Sequence, residues 1–221
     1  MDHLIPTVPS MPGGMLGATW SPALPSCSLW LRADSGITQS GGLVSAWIDN
    51  VGSVLTLTAA GTARPTYVAD AVNGQPAIYF NGTTNTMSVG SIAQSLVFGT
   101  NAGTVAMVLN KDNPGTSGIV CMWYQTVNTN NVYLYANVGA NTLKFEFGSD
   151  AATGTFSDAT PIAAGSYQYV VTIKSGTTMI QRSNGVASPA SPATGKTDVL
   201  TSADGTVEVG AYSGVANYAG Y

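Results

Sequence analysis

Two Asn-Gly dipeptides set the terms on which this chain can fold: Asn73-Gly74 and Asn81-Gly82, with Gln75-Pro76-Ala77-Ile78-Tyr79-Phe80 between them. Both residues of such a pair tolerate the positive φ that the type I′ turn of a two-residue β-hairpin demands. Thr66-Tyr67-Val68 precedes the first pair, and Pro76 can begin a strand but not sit inside one, because it has no amide hydrogen to give the ladder. Arg64 to Gly82 therefore reads as an antiparallel pair of strands, and an all-β fold is the expectation for the rest.

The alternation of short apolar runs and turn residues continues along the chain. Strands are predicted over Ser28–Arg32, Leu43–Asp49, Val54–Thr58, Thr66–Val68, Pro76–Phe80, Thr86–Val89, Thr104–Asn110, Ile119–Gln125, Val132–Ala136, Leu143–Phe147, Tyr167–Lys174, Thr177–Arg182 and Thr206–Tyr212. Gly36 and Gly41-Gly42 are expected to bound a loop, and Ser175-Gly176 to turn a hairpin. In Leu143-Lys144-Phe145-Glu146-Phe147 the alternation sends Lys144 and Glu146 to solvent and the apolar residues to a core. The one helical candidate, Ser91–Phe98, is a turn or two at most. About a dozen short strands indicate a sandwich or barrel with a single core, to which Trp30 and Trp47 are assigned, Trp47 beneath the Asp49-Asn50 loop.

Residues 1–26 break this pattern. Pro6, Pro9, Pro12, Pro22 and Pro25, with Gly13-Gly14 among them, leave no room for a helix or a central strand. Yet Leu4, Ile5, Val8, Met11, Met15, Leu16 and Trp20 make this arm too apolar for a solvated linker. It is expected to serve in assembly or anchoring, lying either on its own domain or on a neighbouring subunit, with residues 27–221 forming the sandwich.

Only 8% of the 221 residues are charged, against about 25% in an average domain. Neutral Thr, Ser and Asn must then carry solubility, which suits strands and turns, while scarce Glu and Lys argue against long helices. The net charge of −4 leaves nothing with which to displace counterions from nucleic acid. No apolar run is long enough to cross a bilayer, and MDHLIPTVPSMPGG has neither the basic start nor the apolar stretch of a secretory signal, so neither membrane insertion nor Sec export is expected. Cys27 and Cys121 are too few for a disulfide framework and are read as buried thiols in strands.

Four segments, SLWLRADSGI, VSAWIDNVG, ARPTYVADAVNGQPAIYFNGTTNTMSV and VEVGAYSGVANYAGY, resemble in order and spacing the concanavalin A-like or laminin G-like jelly-roll domains of bacterial surface proteins and phage virion proteins. The middle of the series is the most diagnostic: Trp-x-Asp followed by Gly, then Arg-Pro-x-Tyr, then Asn-Gly-x-Pro-Ala-Ile-x-Phe-Asn-Gly. The resemblance implies a two-sheet antiparallel jelly-roll sandwich with an extended N-terminal arm. It does not imply one function, because lectins, glycanases, adhesive modules and structural domains share the scaffold. The chain departs from the pattern twice. Val51 stands where members commonly carry Ser before the Gly of the Trp-x-Asp loop, so a hydroxyl hydrogen bond is lost there. Members also continue past the Gly-Tyr position into a further strand, whereas this sequence ends at Tyr221; closure by another segment, the arm included, or a longer natural chain is the expectation.

Glycanases of this fold resemble one another in a Glu-x-Asp-x-x-Glu strand, which sets acid and nucleophile about 5 Å apart. Here the glutamates are Glu146 and Glu208, and their same-face neighbours Lys144, Gly148, Thr206 and Gly210 supply no second carboxylate. The single histidine, His3, lies in the arm, which deprives the domain of Ser-His, Cys-His or His-zinc chemistry. An enzyme is not expected. Sugar binding asks for aromatic faces and amides, and Tyr133 and Tyr135 on one strand face, with Trp123, Tyr124, Asn128, Asn130 and Asn131 nearby, are the candidates; cross-strand packing is the competing reading. Asp49 with Asn81 or Asn85 is a candidate calcium site, against the alternative that Asp49 caps its own turn; no other cofactor is expected. The function expected first is a structural or adsorption protein of a phage virion (capsid decoration, head fibre or tail component), bound through the arm to other virion proteins and presenting a lectin-like sandwich to surface glycans. A homo-oligomer such as a trimer fits that setting, although no heptad or repeat argues for it. A secreted or surface carbohydrate-binding or adhesion module is the alternative, and a glycan-processing enzyme comes last.

Overall fold

The structure, a computed structural model, describes residues 27–52, 55–93, 102–112, 118–124, 131–136, 142–148, 154–161, 165, 167–187, 204–211 and 218–220. The arm, with Leu4, Ile5, Val8, Met11, Met15, Leu16 and Trp20, lies outside them. In chain order the strands are β1 (Ile37–Ser40), β2 (Leu43–Ile48), β3 (Thr56–Thr58), β4 (Thr66–Val72), β5 (Gln75–Asn81), β6 (Met87–Ala93), β7 (Ala102–Leu109) and β8 (Gly118–Tyr124). They continue as β9 (Asn131–Ala136), β10 (Thr142–Gly148), β11 (Gly154–Pro161), β12 (Gln168–Ser175), β13 (Thr178–Ser183), β14 (Val186–Ala187), β15 (Asp204–Val209) and β16 (Ala219–Gly220). A 3-10 turn over Gly61–Ala63 is the one helical element among the described residues.

Two antiparallel sheets result. The larger follows a curled path β11-β10-β9-β8-β15-β6-β3-β2-β4-β5-β16, with β1 alongside β2, and the smaller runs β14-β13-β12-β7. Both feed one core: Val44, Leu57, Ile78, Phe80, Met87 and Val207 from the larger sheet meet Leu109, Val170 and Met179 from the smaller. At about 1.5–3 kcal/mol per fully buried apolar side chain, this shared layer is what keeps two sheets together.

Asn73 and Gly74 adopt φ of 49° and 74° and join β4 to β5 with Val72 opposite Gln75, as a type I′ hairpin requires. Pro76 is tolerated inside β5 because the register jumps from the Val68–Ala77 pair to the Val72–Gln75 pair. No β4 residue is paired with Pro76, so its missing N–H leaves no acceptor stranded. A further Asn-Gly pair, Asn184-Gly185, turns β13 into β14 with φ of 50° and 82°.

Several expectations are corrected. Ser28–Arg32 is not a strand: it crosses the end of β2, where the Trp30 carbonyl accepts the Asn50 N–H at 2.9 Å. The expected loop after Gly36 is β1 instead, and Gly41-Gly42, at φ of 59° and 78°, forms the tight turn that pairs Ser40 with Leu43. The later hairpin turns at Gly176-Thr177, with Ser175 already paired to Thr178. Ser91–Ala93 belong to β6 rather than to a helix; Ser91, at φ 58°, lies at a bulge where three steps along β6 match two along β15. Positions 94–98 lie outside the described residues. β11 was not expected, since its Ser, Asp and Thr read as loop; it is the edge of the large sheet, where a polar strand ending at Pro161 guards against further pairing. Closure on the β5 side comes from Ala219 and Gly220, which pair with Asn81 and Phe80.

The tryptophans divide. Trp47 is half-buried against the core and donates its indole N–H to the Arg32 carbonyl at 2.8 Å. Trp30 is half-buried with the Arg32 guanidinium 4.8 Å from its ring centroid, a cation–π lid rather than a core position. Arg32 is in turn held by Asp34, with Nε donating to Oδ1 at 2.8 Å. Cys27 is a half-buried free thiol outside any strand, its S–H directed to the Leu29 carbonyl at 3.7 Å.

Candidate functional site

Leu43 at the start of β2, Thr66 at the start of β4, Gly61, Thr62 and Arg64 in the turn before it, Asn81 at the end of β5, and Thr84 and Asn85 after it line a shallow depression of about 350 Å³. Two asparagines hold its walls. The Asn81 side-chain oxygen accepts the N–H groups of Thr83 and Thr84, both at 2.9 Å, and of Asn85 at 3.1 Å, while its amide donates to the Thr84 hydroxyl at 3.0 Å. This is why the second Asn-Gly pair matters: Gly82, at φ 71°, lets the chain fold back over the Asn81 side chain. Asn85 is buried and joins two loops, accepting the Asn81 N–H at 3.0 Å and donating to the carbonyls of Thr62 at 3.1 Å and Arg64 at 2.9 Å.

Between these walls Arg64 donates Nε–H to the Gly61 carbonyl at 3.2 Å. A guanidinium carries five N–H donors in a fixed fork, so its terminal nitrogens keep donor capacity for a ligand. The lining thus offers one cation, three threonine hydroxyls and amide groups, and it contains no carboxylate, imidazole or thiol. Such a surface can bind hydroxyl and carboxylate oxygens through hydrogen bonds.

The candidate calcium ligands do not converge. Asp49, 2% exposed, caps its own turn: Oδ1 accepts the N–H groups of Trp30 at 2.7 Å and Val51 at 3.1 Å, and Oδ2 that of Gly52 at 3.4 Å. Asp49 follows the end of β2 whereas Asn85 lines the depression beside Leu43 at its start, which puts the two about 20 Å apart along a strand rising roughly 3.3 Å per residue. All three side-chain oxygens sets are already turned to N–H donors. Val51 is 45% exposed and enters the capped turn through its backbone N–H.

Of the residues picked from sequence as a glycan surface, Tyr133 pairs with Met122 and Glu146, Tyr135 with Ile119 and Lys144, and Asn131 with Tyr124 and Gly148. In the backbone register Trp123 stands opposite Val132 and the core residue Val207, and Tyr124 opposite Asn131 and Thr206. Asn128 and Asn130 lie outside the described residues. None of this set lines the depression. The residues that do, Thr62, Arg64, Thr66 and Thr84, escaped the sequence reading because Arg-Pro-x-Tyr and Asn-Gly were taken as turn and fold signals only.

Glu208 is buried on β15, opposite Met122 and Ser88, and accepts the Thr86 hydroxyl at 2.9 Å; Glu146 is paired with Tyr133 and Thr155. Among the described residues no three His, Cys, Asp or Glu come together as metal ligands would. A second buried polar group is a structural knot: the Tyr218 hydroxyl donates to the Asn110 carbonyl at 2.8 Å, and Asp112 N–H donates to the Ala219 carbonyl at 3.2 Å. Burial, reinforced by the Asp112 charge, pushes the Tyr218 phenol far above its ordinary range, and burial pulls the neighbouring Lys111 amine down.

Neither a protein-family model nor a curated protein sequence matches this chain. Solved structures do. Domain 4 of AbnA, an extracellular arabinanase from Geobacillus stearothermophilus determined in complex with arabinotriose, superposes with a TM-score of 0.59 at 15% identity, over 78% of this chain and 81% of that one. The LG4–5 domains of the mouse laminin α1 chain give a TM-score of 0.50 at 20% identity, over 73% of this chain and 41% of the longer laminin chain. With the two-sheet topology these likenesses establish the fold: the chain is a concanavalin A-like, laminin G-like jelly-roll sandwich.

Proposed function

We propose that this chain is a glycan-binding, adhesive module that holds sugars at the Arg64 depression without cutting them. The observation that carries the reading is the lining itself, a guanidinium among Thr62, Thr66 and Thr84 with no residue able to act on a glycosidic bond. Support of a coarser kind comes from the arabinanase domain, whose ligand in that structure is arabinotriose. Tyr133 and Tyr135 form the second surface to test. Binding is expected to need no calcium, because the oxygens of Asp49, Asn81 and Asn85 accept backbone N–H groups. The test is a glycan array probed with the full chain, followed by titration of the best ligand. Losing a charged hydrogen bond of about 1.5–3 kcal/mol should weaken binding by roughly ten- to hundredfold in Arg64→Ala. Unchanged affinity in that variant would remove the site, and sugar released from any polysaccharide would remove the non-catalytic reading.

In its finer form the proposal places the module on a phage virion, as a capsid decoration, head fibre or tail component held to its neighbours through residues 1–26; extracellular or cell-surface display is the alternative. The Pro-rich apolar arm and the 8% charge content support the virion setting. Mass spectrometry of purified particles should find the chain in stoichiometric amount. Its absence from particles, with recovery from an envelope fraction, would favour the surface module.

A further inference from the structure

The outer face of the four-stranded sheet is unlike a solvated sheet face. Pairing aligns Val108 with Tyr169, Ala106 with Val171 and Arg182, and Thr104 with Ile173 and, across β12, Ile180. The alternate rows, through Leu109, Val170 and Met179, belong to the core. Val108 is 61% and Tyr169 50% exposed, and Ala102, Thr104 and Ala106 of β7 are exposed as well. An antiparallel sheet with one wet face ordinarily carries polar side chains there. Here Arg182 is the one charged residue in these rows, and its guanidinium is drawn aside to the Gly185 carbonyl at 3.2 Å. Three strands about 4.8 Å apart and the three rows about 6.8 Å apart give a face of roughly 300 Å², a size at which an exposed apolar patch is often functional.

The arm carries a matching pattern. Leu4-Ile5-Pro6, Thr7-Val8-Pro9 and Ser10-Met11-Pro12 repeat the triplet x-apolar-Pro three times, and no charged residue occurs between His3 and Arg32. Such a run favours polyproline II, with about three residues per turn and a rise near 3.1 Å. Ile5, Val8 and Met11 then fall on one edge at intervals of about 9 Å, with Pro6, Pro9 and Pro12 on the next. Segments of this kind dock on apolar, aromatic surfaces at low entropic cost because they are already extended.

We infer that Leu4–Pro12 of the chain's own arm seats on this face, with Ile5, Val8 and Met11 against Val108, Tyr169, Val171 and Ile173. Size decides between the chain's own arm and that of a second copy. A contact of roughly 300 Å² is far below the ~1,000 Å² that an independent interface needs, whereas a tethered segment meets its seat at a millimolar effective concentration. The tether suffices: the 14 residues from Gly13 to Ser26 reach up to about 45 Å, the width of a domain with a radius of gyration near 17 Å. In the free subunit the arm is stowed, and a neighbour in an assembly must displace it. The inference rests on the arm being a docking segment and is independent of the glycan site.

The experiment replaces Tyr169 with the photo-cross-linking residue benzoylphenylalanine in the full chain, irradiates at low micromolar concentration, and maps adducts by mass spectrometry alongside light scattering. Intramolecular adducts to residues 4–12 in a monomer are expected, and they should vanish when Ile5→Asp, Val8→Asp and Met11→Asp are combined. Adducts joining two chains and growing with concentration would overturn the inference in favour of a second copy. Adducts to another segment, or none, would overturn it outright. Arg64→Ala should leave the adduct intact, which separates failure of the glycan reading from failure of this one.

Discussion

Replacing Asp49 tests whether this carboxylate exists to cap a turn or to hold a cation. The side chain is 98% buried by its 2% exposure, and Oδ1 accepts both the Trp30 N–H at 2.7 Å and the Val51 N–H at 3.1 Å. The Oδ2 contact to Gly52 N–H, at 3.4 Å, is weak. Asp49→Ala strands two good donors. At about 1.5–3 kcal/mol per hydrogen bond to a charged group, less what water recovers in the loosened loop, the loss should be about 3 kcal/mol. Asp49→Asn keeps one oxygen in place for both donors and should cost only about 1 kcal/mol. With a urea slope near 2 kcal/mol/M, the unfolding midpoint falls by about 1.5 M in the Ala variant and about 0.5 M in the Asn variant, at unchanged slope. Neither midpoint should respond to calcium or to a chelator. The reasoning fails if Asn costs as much as Ala, which would mean that the charge and not the acceptor is needed, or if calcium raises the wild-type midpoint and the Asn variant loses that response.

Three further outcomes follow from buried contacts. Gly210→Ala should cost about 2–5 kcal/mol by urea unfolding, since the added Cβ falls 2.1 Å from a ring carbon of the buried Phe80 at a φ of +88°; Gly74→Ala, with nothing within 4 Å, should cost only the roughly 1–2 kcal/mol of its positive φ. Tyr218→Phe leaves the Asn110 carbonyl without its 2.8 Å hydroxyl donor, so the melting temperature should fall by about 2–8 °C for a loss of about 1–2 kcal/mol, and an unchanged value would mean that water replaces the bond. Burial lowers the pKa of Lys111 in the folded chain, so in the interval below 10.5 the unfolded state binds more protons and stability rises with pH. Subtracting the urea midpoints of Lys111→Met from those of wild type between about pH 8 and about pH 10 should isolate that rise, and parallel curves would refute it.

How much of this was legible beforehand depends on the range over which each rule acts. Positive φ is a property of one residue and its neighbours, so Asn73-Gly74 declared its hairpin in the sequence, and the apolar run Pro76–Phe80 declared the strand that follows it. The same local rules misread Gly36 to Gly41 as a loop and overlooked β11, because edge and short strands have the composition of turns.

The sequence by itself therefore determined the all-β character, the main hairpin and the scarcity of chemistry, through backbone sterics and residue counts. Only the tertiary structure decided that β15 inserts between β8 and β6, that Thr86 reaches across to Glu208, and that Leu43, Thr62, Arg64, Thr66 and Thr84 meet around one depression while Asp49 is carried to the far end of β2. Those are pairings between segments distant in the chain. They are fixed by which faces of the two sheets bury one another, and no window of a few residues contains that information.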